Sequence, residues 1–197
     1  MYGGKPQSLK FCSIMKKILV LGSSNTDMTV KTPVMPAPGE TVLGGEFTMS
    51  AGGKGANQAV AARRLGGDVK FICKIGSDMF GDNALRHYQE EGIHVSGILR
   101  SDKPSGVALI TVDNNAENCI VVASGANLDI TGDDIDSCAD ALRSCDILLM
   151  QLEIPVPSVL KAAKIASEAG AFVVLNPAPY APLPEEIFKY ISLFIFK

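Results

Sequence analysis

Tryptophan is absent from the 197 residues, and the chain has only four Tyr and eight Phe. So few aromatic faces argue against a stacking platform for nucleobases. Excess charge is lacking too: the net charge is −3, and Lys and Arg are scattered without forming a stripe. Neither a nucleic-acid footprint nor an attraction to anionic membrane follows from that balance. No apolar run approaches the roughly 20 residues that cross a bilayer. The N-terminal stretch from Met1 to Ser13 is polar with isolated apolar residues, unlike a secretory signal. Five cysteines (Cys12, Cys73, Cys119, Cys138 and Cys145) contain no C-x-x-C pair. An odd, dispersed set reads as free thiols in a reducing cytoplasm. The two histidines, His87 and His94, are read as structural or exposed. No Ser–His–Asp arrangement and no metal-ligand spacing is evident.

What is present is a glycine turn opening an alanine-rich helix: Ser50-Ala51-Gly52-Gly53-Lys54-Gly55-Ala56-Asn57-Gln58-Ala59. Glycine lets backbone come close to a ligand, and a helix N-terminus presents N–H groups and partial positive charge. Lys54 adds a full charge and Asn57 a side-chain donor and acceptor. Two familiar phosphate motifs fail. A Walker A loop needs G-x-x-x-x-G-K-[ST], but Thr48 stands where the first glycine belongs and Gly55 follows Lys54. In a dinucleotide fingerprint the third glycine would fall on Gln58, which argues against a nicotinamide-dependent oxidoreductase. The competing structural reading is a turn that only allows close strand–helix packing.

The rest of the chain alternates. Ile18–Leu21, 69–76, 147–150 and 172–175 read as buried strands. Helices are expected at 55–65, around Phe80–Tyr88 with Gly92 as the stop, from Thr131 over Ile135, Cys138 and Leu142, and over 156–169. That rhythm implies an α/β fold with a mostly parallel sheet flanked by helices. It is interrupted twice. Residues 28–50 carry Pro33, Pro36 and Pro38 among short β-prone pieces, including 41–43 and 46–49. Residues 106–112 and 119–122 flank a turn and read as a hairpin that pairs with those pieces. The interruptions form a small β-sheet lid, with strands drawn from about 28–50 and 104–123. The segment 187–196 is expected to start as a helix end or strand and finish as an apolar strand.

Four polar clusters follow strands or lie at the glycine turn: Asn25/Asp27, 52–57, Glu153 and Asn176. Parallel strands bring them to one rim, where ligands of open α/β sheets bind. Asp27 and Glu153 accept hydrogen bonds, Lys54 donates, and Asn25 and Asn57 do both. That set suits the hydroxyls of a sugar. Turn capping is the competing role for Asp27 and Glu153 individually, and Asn176 before Pro177 reads first as a turn starter.

The same residues resemble the ribokinase-like carbohydrate kinase family. The matching segments are 51–59, Leu65-Gly66, Lys74-Ile75-Gly76-Ser77-Asp78, Phe80-Gly81, the start 22–27, the turn 38–41, 105–108, Gly125-Ala126-Asn127, Gln151-Leu152-Glu153 and Asn176-Pro177-Ala178-Pro179. The resemblance runs from about Lys16 to about Phe194. It implies transfer of the ATP γ-phosphoryl group to the 5-hydroxyl of ribose, with Mg²⁺ and a monovalent cation such as K⁺. Asn25, Asp27, Gly52, Gly53, Lys54, Asn57 and Glu153 would hold the sugar. Ala108 and Ile110 would come from the lid, which would also form a homodimer contact.

The family's second signature, a glycine-rich segment ending G-A-G-D, does not occur in the sequence. The resemblance assigns to it the catalytic base and the anion hole, so no catalytic residue is identified. A segment that helps hold ATP and Mg²⁺ would begin just after Phe194-Ile195, where the sequence reads Phe196-Lys197. The expectation is a 1–14 extension followed by an incomplete kinase domain over 15–197 that lacks its C-terminal nucleotide-binding half. A frameshift or premature stop near 195 is the simplest account. Impaired catalysis, an exposed sheet edge and self-association follow from that reading. The alternative function is a non-catalytic sugar-binding or regulatory fragment.

Overall fold

In the computed structural model, which describes residues 16–196, the apolar run near the start lies at the middle of a sheet. Its strand, β1 (Lys17–Leu21), sends Leu19 and Leu21 to one face and Val20 to the other, all buried. A strand alternates its side chains between faces, so a run apolar at every position needs cover on both. The other elements supply that cover in chain order: β2 (Asn25–Lys31), β3 (Phe47–Gly52), α1 (Lys54–Arg64), β4 (Asp68–Gly76), α2 (Met79–Glu90), β5 (His94–Ser101), β6 (Gly106–Val112), β7 (Asn118–Ala123), α3 (Gly132–Ser137), α4 (Ala139–Ser144), β8 (Ile147–Met150), α5 (Val156–Glu168), β9 (Phe172–Leu175) and β10 (Leu193–Phe194).

The main sheet has the order β10-β9-β8-β1-β4-β5, and every pairing in it is parallel. Ala56 and Ala59 of α1 and Ala84 and Tyr88 of α2 pack on Val20, Phe71, Cys73 and Ile75. The opposite face packs Leu19, Leu21, Leu148, Met150 and Val173 against Ile135, Leu142 and the Ala162/Ala163/Ala166 stripe of α5. Small residues on α1 and α5 let both helices sit close to the strands. The family-like α/β architecture with helices on both faces is therefore present.

A second sheet of four strands, β3-β2-β6-β7, stands beside the first. β2 pairs antiparallel with β3 and parallel with β6, while β6 and β7 form the expected hairpin. Phe47, Met49, Leu109 and Val121 leave one of its faces apolar and exposed.

Several expectations need correction. The polar tip after β1 is shorter than read, because Asn25 and Asp27 already belong to β2. Thr41–Leu43 forms no strand. β5 was not anticipated: its residues, His94 to Ser101, have no continuous apolar run, because it is an edge strand that is half exposed. The helix expected from Thr131 is two, α3 and α4, broken at Cys138, although the capping box of Thr131 and Asp134 is present. The 187–196 segment, by contrast, follows its expectation: the end of a 3-10 helix over Glu185–Lys189, then a short apolar strand, Leu193–Phe194. The anticipated 1–14 extension and Cys12 lie outside the described residues. At the β10 edge, Phe188, Ile195 and Phe196 are exposed, and Phe194 sits between Phe188, tilted with centroids 5.6 Å away, and Phe196, stacked at 6.1 Å.

Candidate functional site

The C-terminal ends of β1 and β8 lie side by side, so the turns that follow them meet. From the β8 side comes Glu153; from the β1 side, Ser23. The Ser23 hydroxyl donates to Glu153 Oε2 at 2.5 Å, and the Lys54 backbone N–H donates to the same oxygen at 2.8 Å. Lys54 Nζ stands 3.7 Å from Glu153 Oε1. Gly55 N–H donates to the Ser23 hydroxyl at 3.2 Å, and Ala56 N–H to the Ser23 carbonyl at 2.9 Å. This corrects one expectation from sequence: the first N–H groups of α1 do not point free at a ligand. A carboxylate and a serine already satisfy them, which completes the helix N-terminus from within the protein.

The glycines have distinct reasons. Gly53 sits at φ 92°, in the left-handed region, and turns the chain from β3 into α1. Gly52 faces Asn25 across the β2–β3 ladder, and a Cβ there would overlap the Asp27 carboxylate. Gly55 lies so close to β1 that a Cβ would stand 2.5 Å from the Ser23 nitrogen and 2.7 Å from the Gly22 carbonyl carbon. Close strand–helix packing is therefore the role of Gly55, while Gly52 makes room for a polar side chain.

Burial and the nearby Glu153 charge both raise the pKa of Asp27 above its ordinary value. Asn25 is buried, and its Oδ1 accepts from Asn127 Nδ2 at 2.7 Å. Asn25, Lys54 and Glu153 line a cleft of about 360 Å³ together with Val122, Ser124 and Asn127. Asn57 is exposed and lines a neighbouring recess with Ala51, Arg64 and His87 rather than this cleft. Ala108 lies opposite Asp27 in the β2–β6 ladder and Ile110 opposite Thr29; neither lines the cleft. Asn176 donates from Nδ2 to the Ile195 carbonyl at 2.8 Å and thus fastens the end of β9 to the β10 segment, a structural role. His94 pairs with Asp68 away from the cleft.

Sequence reasoning did not single out Val122, Ser124 or Asn127 as cleft residues. Only the Asn127 signal was available, as the polar residue closing Gly125-Ala126-Asn127 after β7. The structure also carries no fit for a nucleoside triphosphate at the glycine turn. Its N–H groups are occupied, Lys54 is opposite Glu153, and among the described residues no group of three or more His, Cys, Asp or Glu is poised to hold a metal ion. Hydrogen-bonding groups for a neutral polyol are what the cleft offers.

Comparisons with known proteins show what the chain is similar to. The chain is 42% identical over 181 residues to the bifunctional ribokinase/ribose-5-phosphate isomerase A of Fructilactobacillus sanfranciscensis, covering 91% of this chain and 34% of that protein. It is 43% identical over 179 residues to the ribokinase of Haemophilus influenzae, covering 90% of this chain and 58% of that one. The chain thus spans less than two thirds of the relatives it matches. Its fold superposes on Arabidopsis thaliana ribokinase, solved with ribose and ATP, with a TM-score of 0.82 at 27% identity, over 92% of this chain and 60% of that one. The family model for pfkB family carbohydrate kinases matches residues 15–196. From its parallel sheet to its glycine turn, the chain belongs to the pfkB family of carbohydrate kinases.

Proposed function

We propose that this chain carries the sugar-binding part of a ribokinase-type kinase and that its ligand is ribose. The observation that carries the reading is the meeting of Glu153, Lys54 and Asn25 around one cleft, with Asp27 close enough to Glu153 for its charge to be felt. Asp27 and Glu153 accept hydrogen bonds from sugar hydroxyls, while Lys54 Nζ and Asn25 Nδ2 donate to sugar oxygens. Gly52 and Gly53 bring backbone to the ring, and Asn57, which lines the neighbouring recess, would reach it only by turning toward the cleft. Ala108 and Ile110 belong to the second sheet, which acts as a lid and as the contact of a homodimer; its exposed apolar face supports this.

The reaction inferred for the whole protein is ATP-dependent phosphorylation of the ribose 5-hydroxyl, in the cytoplasm, with Mg²⁺ and a monovalent cation. Similarity to proteins named ribokinase supports it. Phosphoryl transfer needs a base and charge stabilisation around the phosphates. The resemblance assigns both to a signature that the sequence does not contain, so the part inferred for these residues is to bind and orient the sugar. That observation favours a second reading for this chain alone: a sugar-binding fragment without turnover.

Titration calorimetry with ribose, together with an ATP-coupled phosphorylation assay on the 197-residue chain, tests both readings. Ribose binding without turnover is expected. Absence of binding to ribose and to 2-deoxyribose overturns the sugar-pocket reading, and full turnover overturns the fragment reading.

A further inference from the structure

Asn127 does more than line the cleft. The Ser24 backbone N–H can only donate, and it donates to Asn127 Oδ1 at 2.8 Å. That contact fixes which end of the Asn127 amide is oxygen, so its nitrogen faces the other way and donates to Asn25 Oδ1 at 2.7 Å. The orientation of Asn25 follows in turn. Its oxygen is occupied, and its Nδ2 makes no hydrogen bond among the described residues. Nor is Nδ2 a fully buried orphan, because the only buried unpaired side-chain polar atom among those residues is Gln151 Oε1. The Asn25 nitrogen is therefore reachable from outside, and Asn25 lines the cleft with Lys54 and Glu153 as well as a second recess beside Thr26 and Ala51.

The pair is built into the base of the β6–β7 hairpin. Asn127 is buried and sits in the 3-10 turn that follows β7, and Ala126 N–H in that turn donates to the Pro104 carbonyl, just before β6, at 2.8 Å. Gly106, at the start of β6, lies so close that a Cβ there would overlap both Asn25 Oδ1 and Asn127 Nδ2. The two legs of the hairpin thus hold the amide pair from both sides.

From this we propose that Asn127 is a positioning residue that fixes the Asn25 amide as a hydrogen-bond donor toward the ligand, and so selects an acceptor oxygen on the sugar at that point. The inference rests on the sugar-pocket reading for the nature of the ligand, but the amide lock itself does not.

Asn127→Asp provides the test. A carboxylate still accepts from Ser24 N–H but cannot donate to Asn25, so the Asn25 amide turns over and offers its oxygen to the cleft. In the wild-type chain, a trans-hydrogen-bond NMR coupling is expected from the Asn127 side-chain nitrogen to Asn25 Cγ. In Asn127→Asp it should run from the Asn25 nitrogen to the new carboxyl carbon. Backbone amide spectra and the thermal midpoint check that the variant is folded. Ribose affinity is expected to fall roughly tenfold in the variant. Riboses with one hydroxyl replaced by hydrogen or by fluorine supply a readout that a merely structural role does not move. At the position facing Asn25, the fluoro sugar should bind wild type better than the deoxy sugar, and the order should reverse in the variant. Gly106→Ala, which touches no ligand, should abolish the wild-type coupling. Wild-type coupling that is absent or reversed overturns the proposal, as does an analogue order unchanged by Asn127→Asp. Coupling as expected without any ribose binding overturns the sugar-pocket reading and leaves the lock standing.

Discussion

Glu153 accepts a hydrogen bond from the Lys54 backbone N–H at 2.8 Å, so a carboxylate carried by the turn after β8 seals the N-terminus of α1. One side chain thereby joins a helix cap to a cleft wall. Glu153→Ala should cost about 1 kcal/mol of folding stability, the usual loss for a removed N-terminal cap. Ribose binding should fall by at least about tenfold. Urea denaturation and calorimetry on the same preparation separate the two effects; unchanged stability would show that water replaces the cap at no cost.

Asp27 behaves in the opposite sense. Its folded-state pKa is raised by burial and by Glu153, so folding opposes its ionisation. The stability associated with this group is present below its ordinary pKa and is lost as pH rises through the raised value. Asp27→Asn should therefore raise the thermal midpoint of ligand-free protein at pH 7 and flatten its pH dependence on the acid side. The same change should weaken ribose binding by about tenfold or more. A lower midpoint at pH 7 would contradict the assignment.

Gly52→Ala separates sterics from chemistry. The added methyl would overlap the Asp27 carboxylate, forcing it to move. Overpacking of this kind costs about 1–3 kcal/mol, and the sugar affinity should drop along with the stability. Combining Gly52→Ala with Asp27→Asn should give a sugar affinity close to that of either single variant, because both act on one group. Full additivity in binding would refute the shared cause.

Lys74 ties β4 to the far side of the second sheet's base. Its ammonium donates to the Asp129 carbonyl at 2.9 Å and to Asp134 Oδ2 at 2.8 Å. Hydrogen bonds from Lys103 and Ser101 hold the Asp129 carboxyl down to about 2, and Asp134 stays low against its own burial through Lys74 and Thr131. Both acids contribute stability above their ordinary pKa, and that contribution is lost as pH falls toward about 2. Lys74→Met should shift the urea midpoint down at pH 7 and make acid unfolding begin at a higher pH. Circular dichroism across a pH series reads both.

Much of this architecture was legible in the sequence. Val20 and its apolar neighbours, the Thr131–Asp134 box and the α5 stripe each carry their pattern locally, so strand, cap and helix could be placed from them. β5 escaped because an edge strand with Ser96 and Gly97 in its middle needs no apolar run; Gly97 is there because a Cβ would stand 2.8 Å from Ile72 Cγ1. Asn25 and Asp27 were assigned to the correct rim but to a loop, since polar residues beside glycines read as a turn when the pairing partner is 27 positions away in Gly52. The sealing of α1 was hidden for the same reason: Ser23 and Glu153 are separated by 130 positions. Local chemistry advertises donors and acceptors, but only tertiary contacts say which of them are already engaged.

The ladder that starts at Asn25 and Gly106 divides the cleft between two bodies. Asn25 and Asp27 are part of the second sheet, whereas Lys54 opens a helix packed on the main sheet and Glu153 follows one of its strands. A molecule gripping both sets is a rivet between two plates: its residence depends on how the plates are held, as well as on the four side chains. Stiffness far from the ligand, along the exposed apolar face of the second sheet, thus becomes part of the affinity.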